Sequence, residues 1–217
     1  LYQIFGDRLF KTTNYYSSMT YLTAIDMPTI DADPIQWDDK ITASFATSYT
    51  TIAIATGSEN YTLDPSTDTL AIITDTDLPP ARSVVYLDGY YVWVATDGET
   101  VHWSEVNDPT AYGALSFFDA ESRPDKNVEA VVLGNDLFIL GEKSIERFRP
   151  TGVSTAPFTR VTNSIISIGY VSGLVQKGDS ITFIGKSVNS SYEVYELSLS
   201  SLRILSNGVV SEILNNS

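Results

Sequence analysis

One short stretch, FFDAESRPDKN at residues 117–127, crowds enough charged side chains together to suggest chemistry. It contains three acids and two bases: Asp119, Glu121, Arg123, Asp125 and Lys126. A glycosidase needs two carboxyl groups at a fixed separation, one of them with a raised pKa. The two bases among the acids favour ionised, ion-paired carboxylates instead. We therefore assign no catalytic residue and interpret the stretch as a polar connection between two sheets.

Three further acidic runs resemble the oxygen ligand sets of hard cations: DADP at 31–34, DPSTD at 64–68 and TDTD at 74–77. Calcium takes about six to eight oxygen ligands, often from loops of this composition. None of the runs has the spacing of an EF-hand loop, and Asp, Ser, Thr and Pro are common turn formers. Turns are favoured and no metal ligand is assigned, although a Ca²⁺ ion in such a loop stays an open alternative.

The rarest residue types exclude several classes of site. The chain has no cysteine, which excludes disulfides and thiolate metal sites, and its single histidine, His102, excludes zinc sites built from several histidines. No activated serine or cysteine motif accompanies His102, so a histidine satisfied within a strand is favoured over a catalytic base. No nucleotide-binding glycine pattern occurs, and no cofactor is predicted. Packing between sheets is favoured over a sugar-binding platform for the three tryptophans: Trp37, Trp93 and Trp103.

The charge of the chain is strongly negative and unevenly distributed. The formal net charge is −14, and residues 1–108 hold 16 acids and 4 bases whereas residues 109–217 hold 11 acids and 9 bases. This excludes a uniformly basic face for binding phosphates. Solubility is the simpler explanation of the acidity, although an acidic path that lets DNA slide past is an alternative. No apolar run approaches the length of a membrane span. No signal peptide is visible at Leu1, which indicates a chain that begins inside a longer gene product.

The segments around these residues have the composition of β-strands. Residues 83–106 alternate three strand-like runs with two Asp-Gly pairs, Asp88-Gly89 and Asp97-Gly98. Each pair predicts a two-residue hairpin, since both turn residues need positive φ. Two further copies follow at 128–149 and 172–199, with predicted turns at 134–135, 142–143, 178–179 and 187–191. Earlier copies are indicated at 43–65 and, as a hairpin turning at Gly6-Asp7, at 1–13.

The copies recur about every 44 residues with three or four strands each, a period typical of propeller blades. We predict an all-β fold, a single β-propeller domain over residues 1–217 built from five or six antiparallel blades, with few helices. A β-sandwich is the alternative. In the propeller, the charged stretch is a crossover from an outer strand at 115–118 to an inner strand at 128–133. Pro124 and the charges are expected to keep that crossover in solvent.

Residues 50–214 also resemble a known family in the order and spacing of short motifs. The central motifs are Ser104 with Asn107-Asp108-Pro109, Phe118 with Ala120-Glu121 and Pro124-Asp125, Gly141, Ser144-Ile145-Glu146, Thr151-Gly152, Pro157-Phe158 with Arg160, and Ile168-Gly169. Similar flanking stretches lie at 73–92, 178–185, 192–198 and 204–214. The ordered set resembles the phage stabilisation family, the packaged-DNA stabilisation or tail-hub proteins of short-tailed bacteriophages. Residues 14–49 match poorly, and the chain is shorter than usual members.

The resemblance implies a structural protein of the virion, not an enzyme. Family members look like propellers that form a homo-oligomeric ring, expected to be a hexamer, below the portal and its adaptor protein. Such a hub or nozzle extends and helps close the DNA exit channel, retains packaged DNA until genome ejection, and anchors tail fibres, spikes, and a needle or plug protein. Viral DNA would pass without sequence-specific binding, and assembly would take place in the host cytoplasm. The alternative function is a propeller that binds or hydrolyses host surface glycans, with carboxylates and aromatic rings converging in one pocket.

Ring assembly also predicts where subunits touch. A closed ring joins two different patches of neighbouring subunits, and the loops between strands, at 106–114, 119–127 and 150–156, are expected to supply them. The candidate contact residues are Asn107, Asp108, Pro109, Glu121, Arg123, Asp125, Thr151 and Gly152.

Overall fold

The computed structural model describes residues 2–5, 8–11, 20–25, 43–120, 125–189 and 191–216. In that part of the chain, nineteen β-strands are followed by a single short α-helix near the C-terminal end. The paired strands whose register is defined are all antiparallel. The predicted all-β class with few helices is confirmed.

The strands form five sheets, each made of strands that are consecutive in the chain. The first sheet contains β1 (Tyr2–Phe5), β2 (Arg8–Lys11) and β3 (Thr20–Ala24). The second contains β4 (Ser44–Thr47), β5 (Ile52–Ala55), β6 (Asn60–Asp64) and β7 (Thr69–Ile72). The third contains β8 (Ala81–Leu87), β9 (Tyr90–Ala95), β10 (Val101–Trp103) and β11 (Phe117–Phe118). The fourth contains β12 (Asn127–Leu133), β13 (Asp136–Gly141), β14 (Ile145–Pro150) and β15 (Phe158–Arg160). The fifth contains β16 (Ile168–Lys177), β17 (Ser180–Ser187), β18 (Tyr192–Ser198) and β19 (Leu202–Ile204), and α1 (Gly208–Asn215) lies beside β18.

Tight turns join the first two strands of the third, fourth and fifth sheets, as predicted. At Asp88-Gly89 both residues have positive φ, 52° and 87°, which matches the twist of the flanking strands. Gly134 (φ 59°) and Gly178 (φ 58°) begin the equivalent turns of the next two sheets. The predicted pairing of the first hairpin is also confirmed by the register of β1 and β2, although its turn residues Gly6 and Asp7 lie outside the described residues.

The second Asp-Gly pair behaves differently, and the two-residue hairpin predicted there is wrong. The loop between β9 and β10 runs over residues 96–100, and Gly98 alone of the pair has positive φ, 77°. The Asp97 carboxylate accepts a hydrogen bond from the Glu99 N–H (2.9 Å), and the Gly98 carbonyl oxygen accepts one from the Asn127 N–H (2.8 Å). The loop is wider than predicted, and its backbone is bonded to Asn127, which lies outside the hairpin.

The chain divides into two compact units. Unit 1 comprises Leu1–Thr96 and Trp103–Leu115, and unit 2 comprises Asp97–His102 and Ser116–Ser217. Each unit contains buried apolar clusters of its own.

In unit 1, strand β5 contributes to two buried clusters at once. Ile54 packs in a cluster with Tyr61, whereas Ala53 and Ala55 pack in another cluster that contains Trp93. Neighbouring residues of a strand point to opposite faces of the sheet. Both faces of the second sheet are therefore buried, as expected for a blade with neighbours on both sides.

In unit 2, the fourth and fifth sheets share one cluster. Phe138 and Leu140 of β13 pack with Phe183 of β17 and Tyr195 of β18. Every residue of β13, DLFILG, is buried, as expected for a strand that is covered on both faces. Strand β17 alternates buried and half-buried residues, the pattern of a strand with one covered face.

Candidate functional site

The charged stretch 117–127 connects β11 of the third sheet to β12 of the fourth. The predicted crossover is confirmed, but the expectation that its charges stay in solvent is wrong for Asp125. This side chain is buried, and its Oδ2 accepts hydrogen bonds from the Lys143 N–H (2.8 Å) and the Ser144 hydroxyl (3.1 Å). Such donors offset the desolvation of a buried carboxylate. Asp125 thereby fastens the end of the crossover to the β13–β14 turn and offers no side chain to a neighbouring subunit.

Among the described residues of the stretch, the second carboxylate does not lie with Asp125 in a common cleft. Asp119 is exposed, and its backbone carbonyl oxygen accepts a hydrogen bond from Arg160 Nη2 (3.4 Å). Glu121 and Arg123 lie outside the described residues. The Asp119 carboxylate is thus at the surface and the Asp125 carboxylate is in the interior. A glycosidase instead needs two carboxylates that face each other across the substrate.

The loop between β10 and β11 carries three of the predicted contact residues, and unit 1 holds this loop through the β8–β9 hairpin. Asn107 has positive φ, 57°, its N–H donates to the Gly89 carbonyl oxygen (2.6 Å), and its Oδ1 accepts a hydrogen bond from the Tyr86 hydroxyl. Asn107 and Asp108 are exposed. Pro109 is buried, so it shapes the base of the loop and not its outer surface.

An open depression of about 500 Å³ lies in unit 1 beside this loop. It is lined by five threonines, by Asp64 of β6 and Ala71 of β7, and by Asn107, Asp108 and Pro109. The ten lining residues include two carboxylates but neither a base nor an aromatic ring. The structure thus brings three predicted contact residues together with the acidic run at 64–68, for which the sequence favoured a turn.

The two carboxylates of the depression are held in the same way. Oδ1 of Asp64 accepts hydrogen bonds from the N–H (2.7 Å) and hydroxyl (2.6 Å) of Ser66, and Oδ1 of Asp108 accepts from the N–H (2.9 Å) and hydroxyl (2.6 Å) of Thr110. The hydrogen bonds from Ser66 hold the pKa of Asp64 below its usual value. A glycosidase acid needs a raised pKa, and a sugar site usually offers aromatic rings. The depression is therefore an acidic, hydroxyl-lined surface without the features of the glycan alternative.

Thr151 and Gly152 lie in the β14–β15 loop of unit 2. We define its residues 151–156 as the knob loop, since all six are exposed. Thr151 Oγ1 accepts a hydrogen bond from the Val153 N–H (3.0 Å) and donates one to the Ala156 carbonyl oxygen (2.7 Å). Gly152 has positive φ, 74°, which this turn requires and which favours glycine. The knob loop is therefore a projecting segment whose shape is fixed by its own hydrogen bonds.

Two arginines share one buried carboxylate at the base of the knob loop. Asp136 Oδ1 lies 2.8 Å from Arg149 Nε, and Asp136 Oδ2 lies 2.6 Å from Arg147 Nε. The Asp136 side chain is 5% exposed, whereas that of Arg149 is 55% exposed. Hydrogen bonds from Arg149 and Arg147 lower the pKa of Asp136, and Asp136 in turn raises the pKa of Arg149. Two guanidinium groups against one carboxylate leave an excess positive charge beside the knob loop.

The predicted contact residues of the fourth sheet lie at its two opposite ends. Asp125 is fastened beside the start of β14, whereas the knob loop follows the end of that strand. Strand β14 has six residues, which span about 20 Å at ~3.3 Å per residue. Asp125 and the residues Thr151 and Gly152 therefore cannot belong to one small contact patch.

The remaining candidate sites have structural partners in the described residues. His102 is buried, with Nε2 2.9 Å from Thr100 Oγ1, which confirms a histidine satisfied within a strand. Asp68 pairs with Lys11 Nζ (2.7 Å). Asp75 accepts a hydrogen bond from the Asp77 N–H (3.0 Å) within the acidic run at 74–77.

Two sets of predicted residues are only partly covered by the described residues. The acidic run at 31–34 and Trp37 lie outside the described residues, whereas Trp93 and Trp103 are buried as predicted. Where the structure describes the chain, it contains no group of three or more histidine, aspartate or glutamate residues that could hold a metal ion. Nor does the described part include a helix long and apolar enough to cross a membrane.

A family model described as the bacteriophage P22 Gp10 β-propeller matches residues 32–217 of the chain. No match was found among curated proteins. The described residues form five sheets, in agreement with the five or six blades predicted from the repeat period.

Solved structures support the same fold. A structure of YCF48 bound to D1 peptide is similar with a TM-score of 0.55 and 12% identity, covering 95% of this chain and 63% of that one. The Pan2 WD40 domain of Neurospora crassa is similar with a TM-score of 0.52 and 11% identity, covering 75% of this chain and 50% of that one. The chain thus spans between half and two thirds of the length of these structures. At such low identity the similarity shows the fold alone, and WD40 repeats are propeller blades.

Proposed function

Because this chain belongs to the phage stabilisation family, that of the bacteriophage P22 Gp10 β-propeller, we propose that it is a structural component of a short bacteriophage tail. The match over residues 32–217 carries this proposal. It agrees with the ordered motifs between residues 50 and 214 that indicated the same family. We further propose that residues 1–217 act as one propeller domain, that the protein has no enzymatic role, and that it is a part of the virion.

In the proposed role the protein forms a homo-oligomeric ring, a hexamer, below the portal and its adaptor protein. The ring extends and helps close the DNA exit channel, retains the packaged genome, and anchors fibres, spikes and a needle or plug. It assembles in the host cytoplasm. The described residues support this role because they form short sheets with tight turns and exposed loops. Exposed loops are the parts of a subunit that can contact its neighbours in a ring.

The charge of the chain supports passage of DNA without sequence-specific binding. The net charge is −14, and the residues that line the depression in unit 1 include two carboxylates and no base. An acidic wall repels phosphates and does not bind them. Mapping the potential on an assembled ring tests this point, since a basic channel wall would contradict it.

The experiment that tests the function compares particles assembled with and without the protein. Particles without it should package DNA and then lose it, measured as the fraction of genome accessible to DNase. Supplying the chain from a second gene should restore protection. Equal protection in both kinds of particle would reject the role in DNA retention.

A further inference from the structure

The depression of unit 1 and the knob loop of unit 2 have complementary properties. The depression is concave, about 500 Å³ in volume, and carries Asp64 and Asp108 without a base among its lining residues. The knob loop has six consecutive exposed residues and follows β14, which carries the exposed side chain of Arg149. Opposite charges on facing surfaces steer association and fix the register of a contact.

The size and polarity of the two parts also agree. Clefts of about 300–1,000 Å³ accommodate groups of a few side chains, which is the scale of the tip of the knob loop. Its polar residues Ser154 and Thr155 can exchange hydrogen bonds with the threonines of the depression. At the tip, the Val153 side chain is 53% exposed, and the exposed Ala71 offers apolar surface in the depression.

The knob loop requires little ordering when it binds. Thr151 Oγ1 already fixes Val153 and Ala156 through hydrogen bonds, and the depression is likewise held by the bonds that Asp64 and Asp108 accept. Parts that are preorganised lose less conformational entropy on association.

We propose that the knob loop of one copy of this protein binds in the depression of the next copy, with Arg149 facing Asp64 and Asp108. This contact joins two different surfaces of identical chains, the kind that closes into a ring. It deepens the proposed function and rests on it for the ring itself. It uses four of the eight predicted contact residues, Asn107, Asp108, Thr151 and Gly152, and leaves Asp125 to hold its own crossover.

The absence of cysteine from the chain makes a direct test possible. Asp108→Cys and Val153→Cys are made in separate proteins, mixed, assembled, and treated with a short bis-maleimide cross-linker. The mixture should give a covalent dimer, whereas either protein alone should give none, because the contact pairs one position with the other. A matched control uses Asp77→Cys and Val188→Cys, which are also exposed but lie outside the two surfaces, and should give no dimer.

A charge test provides a second readout if cysteine at either position disturbs folding. Val153→Glu should weaken association about tenfold, because it places a third carboxylate in the depression. The double variant Val153→Glu with Asp108→Lys should associate as tightly as the wild type, since the new lysine pairs with the new glutamate. Association is measured by sedimentation equilibrium. Rings that form without the mixed cross-link, or that tolerate Val153→Glu, overturn this contact and leave the proposed function standing. Absence of any oligomer, both in solution and in virions, overturns the ring and the contact together.

Discussion

Replacing Asp136 by alanine removes the carboxylate that two arginines share in the fourth sheet. Arg147 is then left 19% exposed with a charge that has lost its partner, whereas the more exposed Arg149 can turn towards water. Removing one member of a buried ion pair typically costs about 3–5 kcal/mol. Because Arg149 can relax into solvent, we expect a loss at the lower end, about 3 kcal/mol of unfolding free energy at neutral pH.

The same variant has a defined pH dependence. The arginines lower the pKa of Asp136 in the folded protein. Its contribution to stability is therefore complete above the pKa of the unfolded chain, about 3.9, and is lost as the pH falls through the lower folded value. The difference between wild type and Asp136→Ala should be constant above about pH 5 and should shrink below about pH 4.

Urea unfolding followed by circular dichroism measures the free energy, and hydrogen exchange locates the loss in strands β12–β15. The matched control is Glu196→Ala, which removes a carboxylate from Arg203, an arginine that is 65% exposed, and should cost less than about 1 kcal/mol. Asp136→Leu combined with Arg147→Met should recover most of the stability. The reasoning is refuted if Asp136→Ala costs no more than Glu196→Ala, or if its cost is unchanged at pH 3.

Two further predictions concern the connection into the fourth sheet and the close packing of the fifth. Asp125→Ala should release the crossover and speed trypsin cleavage after the exposed Lys126. The control Asp119→Ala, at an exposed site, should leave the cleavage rate unchanged. Equal cleavage rates in the two variants would show that Asp125 does not anchor the crossover. Gly169→Ala would place Cβ 1.8 Å from a backbone carbonyl oxygen and should cost about 3 kcal/mol or more. Gly208→Ala, which meets nothing within 4 Å and lies in a helix, should be neutral or stabilising, and similar unfolding curves for the two variants would contradict this account.

The fold was predictable where a local rule governs the backbone. Asp88-Gly89 forms the predicted tight turn, and both of its residues have the positive φ that such a turn needs. The same dipeptide at 97–98 lies in a wider loop, where Gly98 alone has positive φ and its carbonyl oxygen bonds to Asn127, 29 positions later in the chain. A local pattern carries no information about such a distant partner.

The candidate contact surface was predictable only in part, for the same reason. Asn107 and Asp108 were recognisable as loop residues, but Asp64 joins them through the arrangement of strands and not through proximity in the sequence. Arg147 and Arg149 could have been found, since residues two apart in a strand point to the same face. Their shared partner, Asp136, depends on the register between β13 and β14, which the sequence pattern alone did not define.

Electron cryomicroscopy of intact virions tests the central claim most directly. Density for this chain, identified by a fused tag, should form a closed ring in the tail below the portal, with sheets of three or four strands around each subunit's own axis. Density for the tag at the capsid surface, or virions from which the chain is absent, would contradict the account.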